Sequence, residues 1–296
     1  MAAISQTQKN KPEGFSGAQR HRIMLTARSF VTHLVLLTGS FFFVAPLIFL
    51  VSTSLKASRQ IAKFPPDLIP DPFIWLNYTD VFIYAPFGQY FLNTLFIIIP
   101  TVFGAAIVSA LAAYAFARLR APGKNAIFMV LLSTMMLPGV VTLIPQYILF
   151  AKIGWVGSFK PLIVPVLFGN AFYIFLMRQF FTTLPRDLED AALIDGCGHL
   201  QIFWSIILPL AKPVMATVTI FAFMGGWNEY FGPLIYLAEK SQYTLALGLQ
   251  VFVSQHSTEW GLLMAASTMM VIPIILLFFF AQKQFVQGIM LTGMKG

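Results

Sequence analysis

Between Arg28 and Lys56 the chain runs for 27 residues without a formal charge, and between Asp80 and Arg118 for 37. A hydrocarbon core about 30 Å thick, crossed at 1.5 Å per residue, takes roughly 20 helical residues. Runs of this length are therefore membrane crossings before they are anything else. A soluble fold of 296 residues could not clothe its surface with 19 basic and 11 acidic side chains, which make 10% of the sequence against 58% apolar; an ordinary globular chain is about 25% charged. The bilayer is the expected solvent. Disordered, collagenous, disulfide-rich secreted and nucleic-acid-binding classes are excluded together.

The charge-free stretches place six transmembrane helices in an all-α polytopic protein. The first is expected at about residues 29–54. Pro86 and Gly88 break the opening of the longest run and put the second at about 90–116. The third and fourth fit 125–151 and 161–177, each ending at a basic residue; the fifth fits 203–227, with Lys212 near its start, and the sixth 260–282. The chain then divides into a tail, 1–28, one membrane domain, 29–290, and a second tail, 291–296. The first apolar run is too extended, and its tail too long, for a cleaved signal peptide, so span one is expected to remain as an anchor.

Orientation follows from Lys and Arg in the short flanking segments. Twelve lie on the side of both termini, among them Arg118, Arg120, Lys124, Arg178 and Arg186; six, from Lys56 to Lys240, lie on the other. Both termini are expected in the cytoplasm. The net charge of +8 is then mostly topology, with attraction to anionic membrane lipid a secondary effect. Cys197 falls in a cytosolic loop, where a thiol stays reduced. His21, His33, His199 and His256 show no ligand-like spacing, and no metal site is expected.

Ion-coupled carriers keep acids or histidines within their spans. Here all eleven acids lie in loops or at span ends, and Lys212 and Arg178 are close enough to the cytosolic face to snorkel. Intramembrane polarity reduces to amides and hydroxyls such as Asn93, Gln146, Asn170 and Asn228, plus backbone freed by prolines. No phosphate-binding G-x-x-x-x-G-K-[ST] loop occurs: Gly123-Lys124 is followed by Asn125 and lacks the upstream glycine. The chain cannot itself hold ATP in such a loop, and no cofactor is expected on it. Any transport function needs a separate motor subunit.

One cytosolic segment reverses the charge bias. Thr183 to Gly198 holds Asp187, Glu189, Asp190 and Asp195 against Arg186 alone. A short helix is expected at about 185–196, with Pro185 at its first position, acids facing the dipole, and Gly196 ending it in a left-handed conformation. Alone it would be marginal in water, so it packs on something. Leu184, Leu188 and Ala191/Ala192 share the face expected to meet the membrane domain, while Leu193 and Ile194 point partly away.

These residues carry a resemblance. Asp190-Ala191-Ala192, Asp195-Gly196, then Ile207-Leu208-Pro209 and Pro213, between the fourth and fifth of six spans, resemble the EAA loop of ABC importer permeases. Ser54-Leu55-Lys56, Asn93-Thr94-Leu95, Ala113-Tyr114-Ala115-Phe116-Ala117-Arg118, Trp227-Asn228-Glu229-Tyr230 and the terminal Gly293-Met294-Lys295-Gly296 fit the carbohydrate-uptake branch, typified by the smaller permease of the maltose transporter. The match runs from about residue 30 to the end; each piece is weak and their order together is specific. Asp190 stands where the family's triplet usually begins with Glu, one methylene longer. The resemblance implies a type I importer permease fold (MetI-like) and a coupling helix seated in a groove of the ATPase. It implies as partners a second permease subunit, two ATPase subunits that hold ATP and Mg²⁺, and an extracytoplasmic solute-binding protein delivering a sugar or oligosaccharide. The chain is then not an enzyme. Glu189, Asp190, Ala191, Ala192, Asp195, Gly196, Leu208 and Pro209 are the expected ATPase-coupling residues, with Lys295 and Gly296 as a further contact.

Gln146, Asn170, Trp227, Asn228 and Tyr230 are the candidates for the substrate path. Trp227 and Tyr230 belong first to an interfacial aromatic belt, with stacking on a sugar ring as the alternative. In the maltose-type branch the partner permease supplies most sugar contacts. Two other readings compete: a related importer for a non-sugar solute such as a glycerol phosphate, and, remotely, a polytopic transferase holding Mg²⁺ through Asp187, Asp190 and Asp195. The latter needs further convergent acids, and the remaining cytosolic acid, Glu13, lies in a polar tail.

Overall fold

A computed structural model of the chain describes residues 17–253 and 258–293, with side chains over 24–26, 28–253 and 258–282. The first apolar run forms α1 (Gly17–Ser54), which begins inside the segment read as a tail. After a turn carrying α2 (Leu76–Tyr84), the longest run forms α3 (Phe87–Arg118), three residues longer than expected at its start and two at its end. The fourth run, Lys160–Thr183, passes through a 3₁₀ turn at Pro165–Phe168 into α6 (Ala171–Thr183), so that Arg178 lies inside the helix, not at its end. The sixth is α10 (Trp260–Gly293).

The third and fifth runs are not single crossings. The expected helix at 125–151 divides into α4 (Lys124–Thr134) and α5 (Gly139–Lys152), bent by 96°. Pro138 is the cause: it has no N–H, it pushes Leu137 out of helical geometry, and its own ψ of 133° is extended. Beyond α7 (Asp187–Ile194), the expected span 203–227 divides into α8 (His199–Leu210) and α9 (Lys212–Trp227), which meet at 81°. Pro213 cannot donate to the Pro209 carbonyl, and Ala211, with ψ near 6°, turns the chain between them. Among the described residues four helices are long and apolar enough to cross a membrane, or six where each bent pair counts as one crossing.

α3 is the axis of the fold, packed on α6 and α9. Its inner face carries Gly104, Ala105, Ala106, Ala110, Ala113 and Ala117, and small residues let helices approach closely where lipid offers no hydrophobic drive to association. At Gly104 the approach is complete: a Cβ there would collide with the Leu167 side chain. Two apolar cores form at the two ends of α3. One, at the end bearing Arg118, gathers Tyr114, Phe128, Met177, Phe181, Phe203 and Val218; the other, at the far end, gathers Tyr90, Ile98, Trp227, Leu245, Phe252 and Ala266. α1 lies against α10 with its apolar residues exposed, the state expected of a lipid-facing helix.

Candidate functional site

The acidic segment folds as α7, which starts two residues later and ends two residues earlier than expected. Arg186 is the N-cap, and Pro185 stands before the cap instead of opening the helix. Asp187, Glu189 and Asp190 occupy the first turn, where the dipole favours them. The exit is a Schellman motif: Gly196 has φ +84°, its N–H donates to the Leu193 carbonyl at 3.1 Å, and the Cys197 N–H donates to the Ala192 carbonyl at 2.9 Å. Left-handed geometry at Gly196 turns the chain back towards α8.

The buried face of α7 is narrower than the sequence suggests. Ala192 is buried and Glu189 nearly so, whereas Leu188 and Ala191 are exposed. The reason is Arg118, at the last turn of α3. Its Nη2 donates to the carbonyls of Phe181 at 2.5 Å and Leu184 at 2.6 Å, closing the end of α6. Its Nε lies 3.0 Å from Glu189 Oε1, with side-chain exposures of 3% and 12%. The N–H is not aimed at that oxygen, so the contact is an ion pair and not an aligned hydrogen bond. One guanidinium thereby fastens the end of α6 and the start of α7 to the end of α3. Burial pushes the Glu189 carboxyl above the usual carboxylate range, against the opposing pull of Arg118 and Arg186. Arg178, expected to snorkel, folds over the Phe128 ring instead, 4.1 Å from its centroid, and ties α6 to α4.

The other face of α7 is open. Asp187, Asp190, Ala191, Leu193 and Asp195 are exposed, and Ile194 is 87% exposed. Of the expected coupling residues, Asp190, Ala191, Asp195, Gly196 and Pro209 are on the surface, while Glu189, Ala192 and Leu208 pack inwards. Lys295 and Gly296 lie outside the described residues. Among the described residues no three His, Cys, Asp or Glu side chains gather as a metal-binding group, Asp187, Asp190 and Asp195 included.

Between the two cores lies a cavity of about 300 Å³, walled by α3, α6, α9 and the segments around Leu162 and Pro233. Thr94, Thr101, Asn170, Tyr173, Glu229 and Thr244 form its polar wall. Asn170 is the expected path residue that lines it. Gln146 is exposed on α5, Asn228 donates to the Met224 carbonyl within its own helix, and the Tyr230 hydroxyl donates to Gln250 Oε1 at 3.2 Å. Trp227 belongs neither to a belt nor to a binding face: it is 1% exposed, donates from Nε1 to the Met270 carbonyl at 3.1 Å, and stacks on Phe223. Sequence reading missed Tyr173, Glu229 and Thr244 as cavity residues and Arg118 as the partner of Glu189. Arg118 closes the Ala113–Arg118 motif, a signal that pointed to the residue but not to its contact.

Residues 105–290 match the family described as binding-protein-dependent transport system inner membrane component. The chain is 34% identical over 266 residues to the sn-glycerol-3-phosphate transport system permease protein UgpE of Yersinia pestis, covering 87% of this chain and 94% of that protein. It is 32% identical over 269 residues to the arabinooligosaccharides transport system permease protein AraQ of Halalkalibacterium halodurans, covering 88% and 96%. It is 30% identical over 257 residues to the diacetylchitobiose uptake system permease protein NgcG of Streptomyces coelicolor, covering 86% and 85%. In fold it is similar to a chain of a bacterial ABC transporter involved in the import of the acidic polysaccharide alginate, with TM-score 0.78 at 24% identity, covering 91% of this chain and 98% of that one.

Proposed function

This chain belongs to the family of binding-protein-dependent transport system inner membrane components, and from that premise we propose that it forms half of the translocation path of an ATP-driven importer for a sugar or oligosaccharide. It is an ABC importer permease. ATP and Mg²⁺ are held by a separate pair of ATPase subunits, a second permease completes the path, and an extracytoplasmic solute-binding protein delivers the substrate. The end of the bundle bearing Arg118, Arg178 and α7 faces the cytoplasm together with both termini, in the inner membrane of a bacterium, as its surplus of basic residues favours.

The observation that carries the reading is the two-sided character of α7. A helix of eight residues would not hold its shape alone, yet this one keeps an acidic and apolar face open while Arg118 and Glu189 fix its other face to α3 and α6. An exposed Ile194 beside free aspartates suits a groove with an apolar floor and a basic rim. A push on α7 would be passed through Arg118 to the axis of the bundle. A glycerol phosphate importer is the second reading, favoured by the similarity to the Yersinia pestis permease. The test is ATP hydrolysis in liposomes holding the chain with its partner permease, ATPase and binding protein. Stimulation by substrate-loaded binding protein is expected; its absence would overturn the importer reading.

A further inference from the structure

The cavity between the two cores holds polar chemistry that the fold does not use. Thr101 donates its hydroxyl to the carbonyls of Ile97 and Ile98, and the Thr94 hydroxyl is shared between the Tyr90 carbonyl and the Leu245 N–H. The other four polar side chains are only half engaged. Asn170 Oδ1 caps α6 by accepting from the Phe172 and Tyr173 N–H groups, but its amide nitrogen has no partner among the described residues. The same holds for the Tyr173 hydroxyl. Thr244 Oγ1 accepts from the Leu247 N–H at 3.4 Å and keeps its own hydrogen. Glu229 Oε1 accepts from the Gly232 N–H at 2.8 Å, and Oε2 remains. The lining contains one carboxylate and no Lys, Arg or His. Gly225 faces the open space: a Cβ added there would meet nothing within 4 Å.

We infer that this cavity is a ligand subsite belonging to this chain itself, and that it takes a neutral, hydroxyl-rich solute and not a phosphorylated one. The inference rests on the importer reading and names the substrate class within it. Three unused donors match the ether and hydroxyl oxygens of a sugar, and one carboxylate oxygen matches a sugar hydroxyl donating to it. About 300 Å³ sits at the lower end of ligand-site volumes, room for one sugar unit of a longer chain. A phosphate entering here would leave water to face Glu229 with no cation in the wall to compensate, and an uncompensated charge in a partly dry site is costly. The division of labour expected from the maltose-type branch, with the partner permease holding the sugar, is then incomplete for this chain.

The single native cysteine makes the test direct. In the fully assembled transporter in proteoliposomes, Cys197→Ser is combined with Gly225→Cys, and the new thiol is labelled with two methanethiosulfonates of similar size, one cationic and one anionic. The cationic reagent is expected to react roughly tenfold faster, the effect of one nearby charge of fixed sign at reduced dielectric. Adding Glu229→Gln is expected to make the two rates equal. Neutral disaccharides are expected to slow labelling more than sn-glycerol 3-phosphate does. Equal rates with Glu229 present, a thiol unreactive both with and without ATP, or better protection by the phosphate than by every sugar tested would each overturn the subsite. Its failure is separable from that of the importer reading: flat labelling rates in a transporter whose ATP hydrolysis still responds to the binding protein remove the subsite alone.

Discussion

Glu189 and Glu229 stand at opposite ends of the same bundle and have opposite fates. Glu189 is 12% exposed, 3.0 Å from a guanidinium that also holds two carbonyls. Glu229 is exposed, held by one backbone N–H, and turned to a cavity without a cation. The first is closed into a strut and the second is left open to a visitor. Two side chains of one type thus serve mechanical and chemical purposes, and what separates them is whether a counter-charge was placed within reach.

The comparison breaks most sharply at Arg118. Arg118→Ala leaves Glu189 buried without its partner and uncaps the end of α6, a loss of about 3–5 kcal/mol for a buried pair. Thermal unfolding of the purified chain should show it, together with loss of ATPase co-purification; a variant of unchanged stability would mean that the guanidinium is not the strut.

Gly196→Val comes next. A β-branched residue at φ +84° costs about 1–2 kcal/mol in the left-handed region, and the turn from α7 to α8 is lost with it. Membrane insertion should survive while coupled ATP hydrolysis falls. Normal uptake by this variant would show that the angle of α7 is unimportant.

Glu189→Gln sharpens the contrast, because it keeps the shape and removes the charge. Burial already holds this carboxyl above the usual carboxylate range. A raised folded-state value means that folding favours the protonated form. The stabilisation is fully present below the ordinary carboxylate range and is lost as pH rises through the raised value. Glu189→Gln should therefore be milder than Arg118→Ala and should flatten the pH dependence of unfolding across that window. A slope unaltered in the variant would assign it to other groups.

The smallest effect on folding is expected at Ile194. Ile194→Asp changes an exposed side chain, so stability should stay within about 0.5 kcal/mol while ATPase binding in a pull-down weakens. Tight binding by this variant would move the docking face elsewhere on α7.

Much of this was legible in the residues. Uncharged runs of 27 and 37 have one physical solution in lipid, a helix that satisfies its own backbone, and the structure has α1 and α3 there. The stop at Gly196 was legible because glycine takes the left-handed conformation that commonly ends a helix without a steric penalty. The bends were not foreseen, although Pro138 and Pro213 were in view: a charge-free run registers the absence of charge and is blind to a lost N–H. Trp227 was misplaced for a related reason. Proximity to a span end suggests a belt, but whether an indole faces lipid or core depends on Phe223 and Met270, which approach it only in three dimensions.

The sequence alone determined the solvent, the number of apolar runs and the one acidic helix among basic loops, because charge scarcity and local backbone chemistry act over a few residues. Only the tertiary structure decided which acid is paired and which is free. Arg118 lies 71 positions from Glu189, and Asn170 lies 59 from Glu229; separations of that size are closed by the packing of α3 against α6 and α9, which no local pattern encodes.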